Sequence, residues 1–168
     1  ALEIQVRTLG AELQSIKTTD GFEYLWQGDP AYWTGRSYIL FPIIGGLPNE
    51  TYTWEGKSYH MGSHGFARKT EFALAERTEN SLTFQISDTE ETRAQYPFSF
   101  DFQVIYTIKG NVLTEGFRVV NKGEGVMPFS VGGHPGFNCP MDEGKEYGDY
   151  TVRFDQPETA VRRLKANK

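Results

Sequence analysis

Two histidines placed beside glycines are the residues of this sequence best suited to proton-transfer chemistry. His134 follows two glycines and precedes Pro135, and His64 is followed by Gly65. Histidine titrates near neutral pH, so a rigidly held imidazole can both donate and accept a proton there. Pro135 fixes its own φ and pushes His134 toward an extended backbone, which we expect at the end of a strand. We therefore predict His134 and His64 as catalytic residues; a turn histidine that caps a carbonyl is the alternative for His134.

The two histidines are seventy positions apart, so they can act together only if the fold brings them to one pocket. We predict that their imidazoles lie within about 10 Å of each other, the reach of one small ligand. His60 stands four residues before His64, which on a helix would form a metal-binding face. Because Gly62 and Gly65 disfavour a helix there, we predict no metal site and interpret His60 as an exposed strand residue.

Two arginines and an aromatic pair are further candidates for ligand contacts. Arg68 lies in a glycine-containing loop, and Arg36 stands at the entrance of the apolar run at 38–44. A guanidinium has a planar set of donors that suits neutral hydroxyls or a phosphate. For Arg36 a plain surface position is an equally good interpretation. Tyr32 and Trp33 could form a stacking wall for a ligand, but packing within a loop is the interpretation that we favour.

The elements that position these residues are predicted to be antiparallel β-strands. Apolar and polar residues alternate in many short segments separated by turn residues. Pro42 argues against a regular central strand at 38–44, since proline lacks an N–H for the ladder. One short helix is predicted near Glu90–Ala94, capped by Asp88 and barred from extension by Pro97. The predicted strands are residues 2–8, 13–17, 22–26, 51–54, 57–60, 72–77, 82–87, 100–108, 112–119 and 150–154, with a β-like run that ends at Val131.

Composition and charge exclude several classes of function. The 168 residues, 38% hydrophobic and 14% aromatic, suit one domain with a substantial core. A formal charge of −5 gives no basic stripe, so neither nucleic acid nor an anionic membrane is an expected partner. No run approaches the roughly 20 apolar residues of a membrane helix. Cys139 is the single cysteine, so no internal disulfide forms, which fits a cytoplasmic location.

Two segments around the histidines resemble the paired histidine motifs of the aldose 1-epimerase (galactose mutarotase-like) family, and in particular one bacterial branch of it. They are residues 63–68, Ser-His-Gly-Phe-Ala-Arg, and residues 127–138, which include Gly-Gly-His-Pro-Gly-Phe-Asn. Residues 36–45 and 96–100 also resemble that branch. The resemblance runs over nearly the whole chain, from about residue 4 to about residue 164.

The resemblance implies an enzyme that interconverts the α and β anomers of an aldohexose, such as galactose or glucose, by acid–base ring opening. In the family, the histidine that matches His134 protonates the ring oxygen, and the one that matches His64 positions or polarises the ring. No cofactor or metal is required, and the expected partner is a small-molecule sugar. Substrate contacts are implied for Arg36, Arg68, Phe66 and Asn138.

The resemblance also implies an all-β fold, an antiparallel β-sandwich of the galactose mutarotase-like supersandwich type. We expect residues 1–168 to form a single domain of this fold that is incomplete at its C-terminus. The family's base is a glutamate in the last part of the protein, and Glu143, Glu146 and Glu158 do not lie in its motif. We therefore expect the 168 residues alone to lack epimerase activity.

Two alternatives to an aldohexose epimerase stay open. One is a hexose-6-phosphate 1-epimerase, and the other is a non-catalytic carbohydrate-binding relative. Gly46 counts against the hexose-6-phosphate epimerase, because members of the branch commonly carry arginine at that position and this chain lacks that cation. A β-barrel metal protein of the cupin type ranks below both, since the sequence has no His-X-His pair. The oligomeric state is left open.

Overall fold

The computed structural model describes residues 1–157, and every strand pair in that range is antiparallel. The chain divides into two compact units, Ala1–Asn138 and Cys139–Lys168. The first unit holds the strands and both histidines of interest, whereas the described part of the second has a 3₁₀ turn at Tyr147–Asp149 and no strand. The predicted all-β class is confirmed. The single domain over residues 1–168 stays a prediction.

Ten strands, one short α-helix and three 3₁₀ helices (Pro48–Glu50, Ala67–Lys69 and Tyr147–Asp149) are the regular elements of residues 1–157. The helix, α1, is Glu90–Gln95, where the sequence predicted one. No helix in the described chain has the length and apolar character needed to cross a membrane. The strands are β1 (Leu2–Val6), β2 (Leu13–Thr18), β3 (Ser37–Leu40), β4 (Thr51–Trp54), β5 (Lys57–His60), β6 (Ala73–Arg77), β7 (Ser81–Ser87), β8 (Phe100–Lys109), β9 (Val112–Asn121) and β10 (Gly132–Pro135).

A four-stranded sheet in the order β6-β7-β8-β9 carries much of the hydrophobic core. A strand turns alternate side chains to opposite faces, so every second residue of β8 points into the core. Phe41, just after β3, stacks on a β8 ring with centroids 4.4 Å apart and so fastens β3 to this sheet. The fully buried residues of β8 are Phe100, Phe102, Val104 and Tyr106.

A small sheet of β3 and β10 joins segments that are far apart in the sequence. Its register places His134 opposite Tyr38. Opposite residues of an antiparallel pair lie on the same face, so these two side chains share a face. An isolated bridge between Phe41 and Gly65 brings the loop of the other histidine beside the end of β3. The two histidine motifs therefore meet along β3.

The predicted strand at 22–26 was wrong. Only isolated bridges form there, at Glu23 and Leu25. The Glu23 carboxylate accepts the N–H groups of Ile16 and Leu25, at 2.8 and 2.9 Å, and so takes over hydrogen bonds that a neighbouring strand would make. A side chain thus replaces part of the ladder at this point.

Three further element predictions need correction. His134 lies inside a strand, β10, and the run that ends at Val131 is not one. Residues 150–154 do not form a strand either. Thr89, not Asp88, is the N-cap of α1, since its side chain accepts the N–H of Thr92 at 3.2 Å. The Asp88 carboxylate instead accepts hydrogen bonds from the backbone N–H of the first residue of β8 and from the side-chain hydroxyl of the residue before it.

Candidate active site

The imidazoles of His64 and His134 lie side by side, with ring centroids 6.3 Å apart and an interplanar angle of 62°. The predicted approach to within about 10 Å is confirmed. It arises because β10 pairs with β3 while the other loop is bridged to Phe41, the residue after β3. Two imidazoles at this distance can contact the same small ligand.

His64 is held in place by Gly45 through two hydrogen bonds. The Gly45 N–H donates to Nδ1 of His64 at 3.0 Å, and the His64 N–H donates to the Gly45 carbonyl at 2.8 Å. The backbone of His64 is left-handed, with a φ of 66°, which aims the ring back at this partner. An imidazole that accepts a hydrogen bond at Nδ1 carries its ring proton on Nε2. The tautomer of neutral His64 is therefore fixed.

His134 is exposed to solvent and is surrounded by rings. The indole of Trp33 lies 5.2 Å from its imidazole, centroid to centroid, at an angle of 58°. Tyr38 packs edge-on against the same indole at 5.4 Å. These contacts agree with packing, the favoured interpretation, for Trp33 but not for the pair, and the stacking of a ligand on its ring stays an untested alternative. Tyr32, its neighbour in the sequence, is 83% exposed.

Arg68 is the predicted arginine that joins the ring cluster, which is formed by Trp33, Tyr38 and His134. Its guanidinium carbon lies 5.4 Å from the centroid of the Tyr38 ring, a cation–π distance. Nη2 donates to the carbonyl of Ser63 at 3.1 Å. Nε is buried, and no group of the described residues accepts a hydrogen bond from it. Arg68 thus places a positive charge beside Tyr38, which faces the same way as His134.

Arg36 anchors the start of β3 rather than joining the ring cluster. Its Nη1 donates to the carbonyl of Gln14 at 2.6 Å and to Oε1 of Gln27 at 2.8 Å. The N–H groups of Arg36 and Ser37 donate to the carboxylate of Glu12, which is only 2% exposed. Arg36 therefore helps to hold β3, the strand that pairs with β10.

Phe66 and Asn138, the other predicted substrate contacts, are used by the fold. Phe66 is 6% exposed and packs in the core with its ring 6.0 Å from that of Phe41. The Nδ2 group of Asn138 donates to the carbonyls of Glu23 and Leu25, at 2.9 and 3.1 Å. Both side chains therefore have a structural role, and substrate contact by them stays a prediction.

Glu115 is a half-buried carboxyl beside the site that the sequence analysis did not single out. It lies on β9, where Oε1 accepts a hydrogen bond from the Tyr106 hydroxyl at 2.9 Å. Oε2 occupies the space that a side chain at Gly133 would fill, 2.5 Å from the ideal β-carbon position. Burial raises the pKa of Glu115, although the Tyr106 hydrogen bond acts against that shift. A glutamate in the inward-facing apolar row of β9 was the signal that could have revealed it.

Metal ligands do not gather in the described chain. Within residues 1–157, no three side chains of His, Cys, Asp or Glu form a cluster that could hold a metal ion. His60 lies exposed on β5, as predicted, with Nε2 3.3 Å from a carboxylate oxygen of Glu50.

Antiparallel sheets that bring two imidazoles side by side define the molecule as a β-sandwich protein with a histidine-pair site. The chain belongs to the aldose 1-epimerase family, whose sequence profile matches residues 1–165. The chromosomal and plasmid forms of Protein LacX from Lactococcus lactis subsp. lactis are each 44% identical to it over 164 residues. The match covers 94% of this chain and 55% of each relative, so the chain spans about half the length of the curated relatives it matches.

Two solved structures share the fold. The galactose mutarotase related enzyme from Lactobacillus acidophilus has a TM-score of 0.83 and 47% identity, over 88% of this chain and 50% of that one. The galactose mutarotase-like protein from Lactobacillus casei ATCC 334 has a TM-score of 0.80 and 34% identity, over 84% and 49% of the two chains. The predicted galactose mutarotase-like β-sandwich and the predicted bacterial branch are therefore confirmed.

Proposed function

We propose that this chain forms the acid-bearing part of an aldose 1-epimerase that interconverts the α and β anomers of an aldohexose such as galactose or glucose. The observation that carries the proposal is the pair of imidazoles 6.3 Å apart. Ring opening needs one group that protonates the ring oxygen and another that takes the proton of the anomeric hydroxyl. Imidazole titrates near neutral pH, where such proton transfers are most effective.

His134 is the proposed acid and His64 the group that orients the sugar. With its proton on Nε2, His64 can donate a hydrogen bond to a sugar oxygen without transferring the proton. As the proton of His134 moves to the ring oxygen, the bond from that oxygen to the anomeric carbon breaks. The anomeric hydroxyl gives its proton to a base, and the anomeric carbon becomes an aldehyde. Rotation of the aldehyde, ring closure on its other face and return of both protons complete the cycle.

The base is proposed to be a glutamate outside these 168 residues, as the family resemblance implies. The greater length of the relatives is consistent with this, because the match covers only 55% of each. Glu115 is a poor candidate for the base. It lies where a side chain at Gly133 would point, and successive residues of a strand face opposite sides, so Glu115 is on the face of β10 opposite to the His134 side chain.

A neutral hexose suits the cations of the site better than a phosphorylated one. Phosphate is bound most strongly by several charge-assisted hydrogen bonds, typically from more than one arginine. Arg68 lies in the ring cluster, whereas Nη1 of Arg36 is engaged by Gln14 and Gln27. Gly46 stands where the branch commonly has arginine. The hexose-6-phosphate activity stays an open alternative. The cytoplasmic location stays a prediction.

Polarimetry of the full-length enzyme with freshly dissolved α-D-galactose or α-D-glucose tests the proposal. We expect His134→Gln to lower the rate of mutarotation by about 10²–10⁴-fold, the usual contribution of a positioned acid. His60→Gln is the matched control, because it removes an exposed histidine on β5 and should leave the rate unchanged. Calorimetric binding of galactose without any acceleration of mutarotation would point instead to a non-catalytic relative. Saturation by glucose 6-phosphate at far lower concentration than by glucose would favour the phosphate alternative.

A further inference from the structure

The His134 imidazole is packed by the rings of its neighbours in the described chain. No side-chain hydrogen bond of His134 occurs within residues 1–157, and the residue is exposed. Trp33 and His64 contact it through their rings, at centroid distances of 5.2 and 6.3 Å. An acid must direct its proton at one atom of the ligand, so the orientation of this ring has to come from packing.

The Trp33 indole is itself held in one place by the backbone around it. A β-carbon on Gly35 would lie 2.5 Å from Cζ2 of the indole, and one on Gly136 would lie 3.0 Å from Cζ3. Neither glycine has a positive φ, so the backbone conformation does not require glycine at these positions. The missing side chains instead leave space for the ring. Tyr38 packs on the indole, and the Trp33 carbonyl accepts the indole N–H of Trp26 at 2.8 Å. The indole is therefore a fixed surface for the imidazole.

We propose that Trp33 is a positioning residue for His134, whose imidazole it orients so that the proton points at the ring oxygen of the sugar. The proposal rests on the proposed function, in which His134 is the acid. Tyr38 supports the same arrangement, because it stands opposite His134 across the β3–β10 pair and packs against Trp33. Without the indole, the imidazole could turn about its side-chain bonds and lose its alignment with the sugar.

Variants of Trp33 in the full-length enzyme test this role. A misplacement of about 1 Å can cost about 10²-fold, so we expect Trp33→Ala and Trp33→Leu to lower kcat by about 10- to 100-fold, with a much smaller change in KM. Trp33→Phe keeps an aromatic surface and should largely restore kcat. Trp54→Ala is the matched control, since that indole packs on Phe98, with centroids 5.2 Å apart, and should leave kcat unchanged.

The ring protons of His134, followed by nuclear magnetic resonance, report on its contact with the Trp33 indole without any turnover. Their signals are identified by their loss in His134→Asn. The ring current of Trp33 displaces them, so we expect them to move toward free-histidine positions in Trp33→Leu but not in Trp54→Ala. Unmoved signals or an unchanged kcat in Trp33→Leu would overturn the proposal. Moved signals in a protein whose wild type fails to mutarotate hexoses would count against the proposed function but still support the packing of Trp33 on His134.

Discussion

A β-carbon placed on Gly65 would lie 2.3 Å from the carbonyl oxygen of Phe41, so these two residues fit together only because position 65 is glycine. The same carbonyl accepts the N–H groups of Phe66 and Ala67, at 3.1 and 3.2 Å. Gly65 also has a φ of 70°, a conformation that other residues rarely adopt. This contact fastens the loop that carries His64 to the end of β3.

Replacing Gly65 by alanine is expected to destabilise the protein clearly more than replacing Gly56. Both positions have positive φ, 70° and 78°, so alanine at either incurs a left-handed strain of about 1–2 kcal/mol. A β-carbon at position 56 meets nothing within 4 Å, whereas one at position 65 collides with backbone. We expect an additional loss of about 1–3 kcal/mol for Gly65→Ala, the usual cost of overpacking. Urea unfolding of both variants measures the difference, and equal losses would contradict the steric account.

Alternation along the sequence was enough to predict the strands whose faces are clearly apolar or polar. The hairpin of β8 and β9 is the best case, since its buried row and its tight turn at Gly110 both follow from local pattern. The segment at 22–26 has the same alternation, yet Glu23 bonds the neighbouring N–H groups with its side chain. Residues 150–154 also alternate, but no strand among the described residues pairs with them. A strand requires a hydrogen-bonding partner, and the pattern of one segment does not reveal whether one exists.

Substitutions of His64 separate its structural role from its proposed role in chemistry. Asparagine tolerates a left-handed backbone, and its Oδ1 can accept the Gly45 N–H much as Nδ1 does. We expect His64→Asn to keep wild-type stability within about 0.5 kcal/mol and His64→Ala to lose about 1–2 kcal/mol, because alanine leaves that N–H unpaired. Both variants remove Nε2–H, so both should slow mutarotation. Denaturant unfolding and polarimetry test the two roles, and a stable but fully active His64→Asn would refute the chemical one.

The site was predictable only as far as local motifs carry information. Both histidines stood out because glycines and a proline shape the backbone around them. Local pattern can single out Trp33 and Glu115, but it does not reveal that they contact β10, because those contacts come from pairings between distant segments. Arg36 illustrates the converse, since its guanidinium binds Gln14 and Gln27, a result of tertiary packing rather than of its motif.

The Tyr106 hydroxyl has two acceptors within reach and one proton to donate. It lies 2.7 Å from the carbonyl of Ala11 and 2.9 Å from Oε1 of Glu115. When Glu115 is ionised it accepts the tyrosine proton, and the Ala11 carbonyl is then left without that donor. When Glu115 is protonated it can donate to the tyrosine oxygen while the tyrosine donates to Ala11, so all three groups are satisfied. Burial raises the pKa of Glu115 above its ordinary value, the direction that a protonated carboxyl in the folded chain would give.

Wild-type protein is therefore expected to lose stability relative to Glu115→Gln as the pH rises. Below the unfolded-state pKa of about 4.3, the carboxyl is protonated in both the folded and the unfolded chain, and pH has no effect through this group. Above it the unfolded chain releases the proton first, which favours unfolding until the pH has passed the higher pKa of the folded state.

Glutamine does not titrate, and its amide can donate to Tyr106 as the protonated carboxyl does. Urea unfolding from about pH 4 to about pH 8 measures the gap, with Glu76→Gln, at an exposed position on β6, as the control. A difference between wild type and Glu115→Gln that stays constant across this range would show that the pKa of Glu115 is not raised in the folded protein.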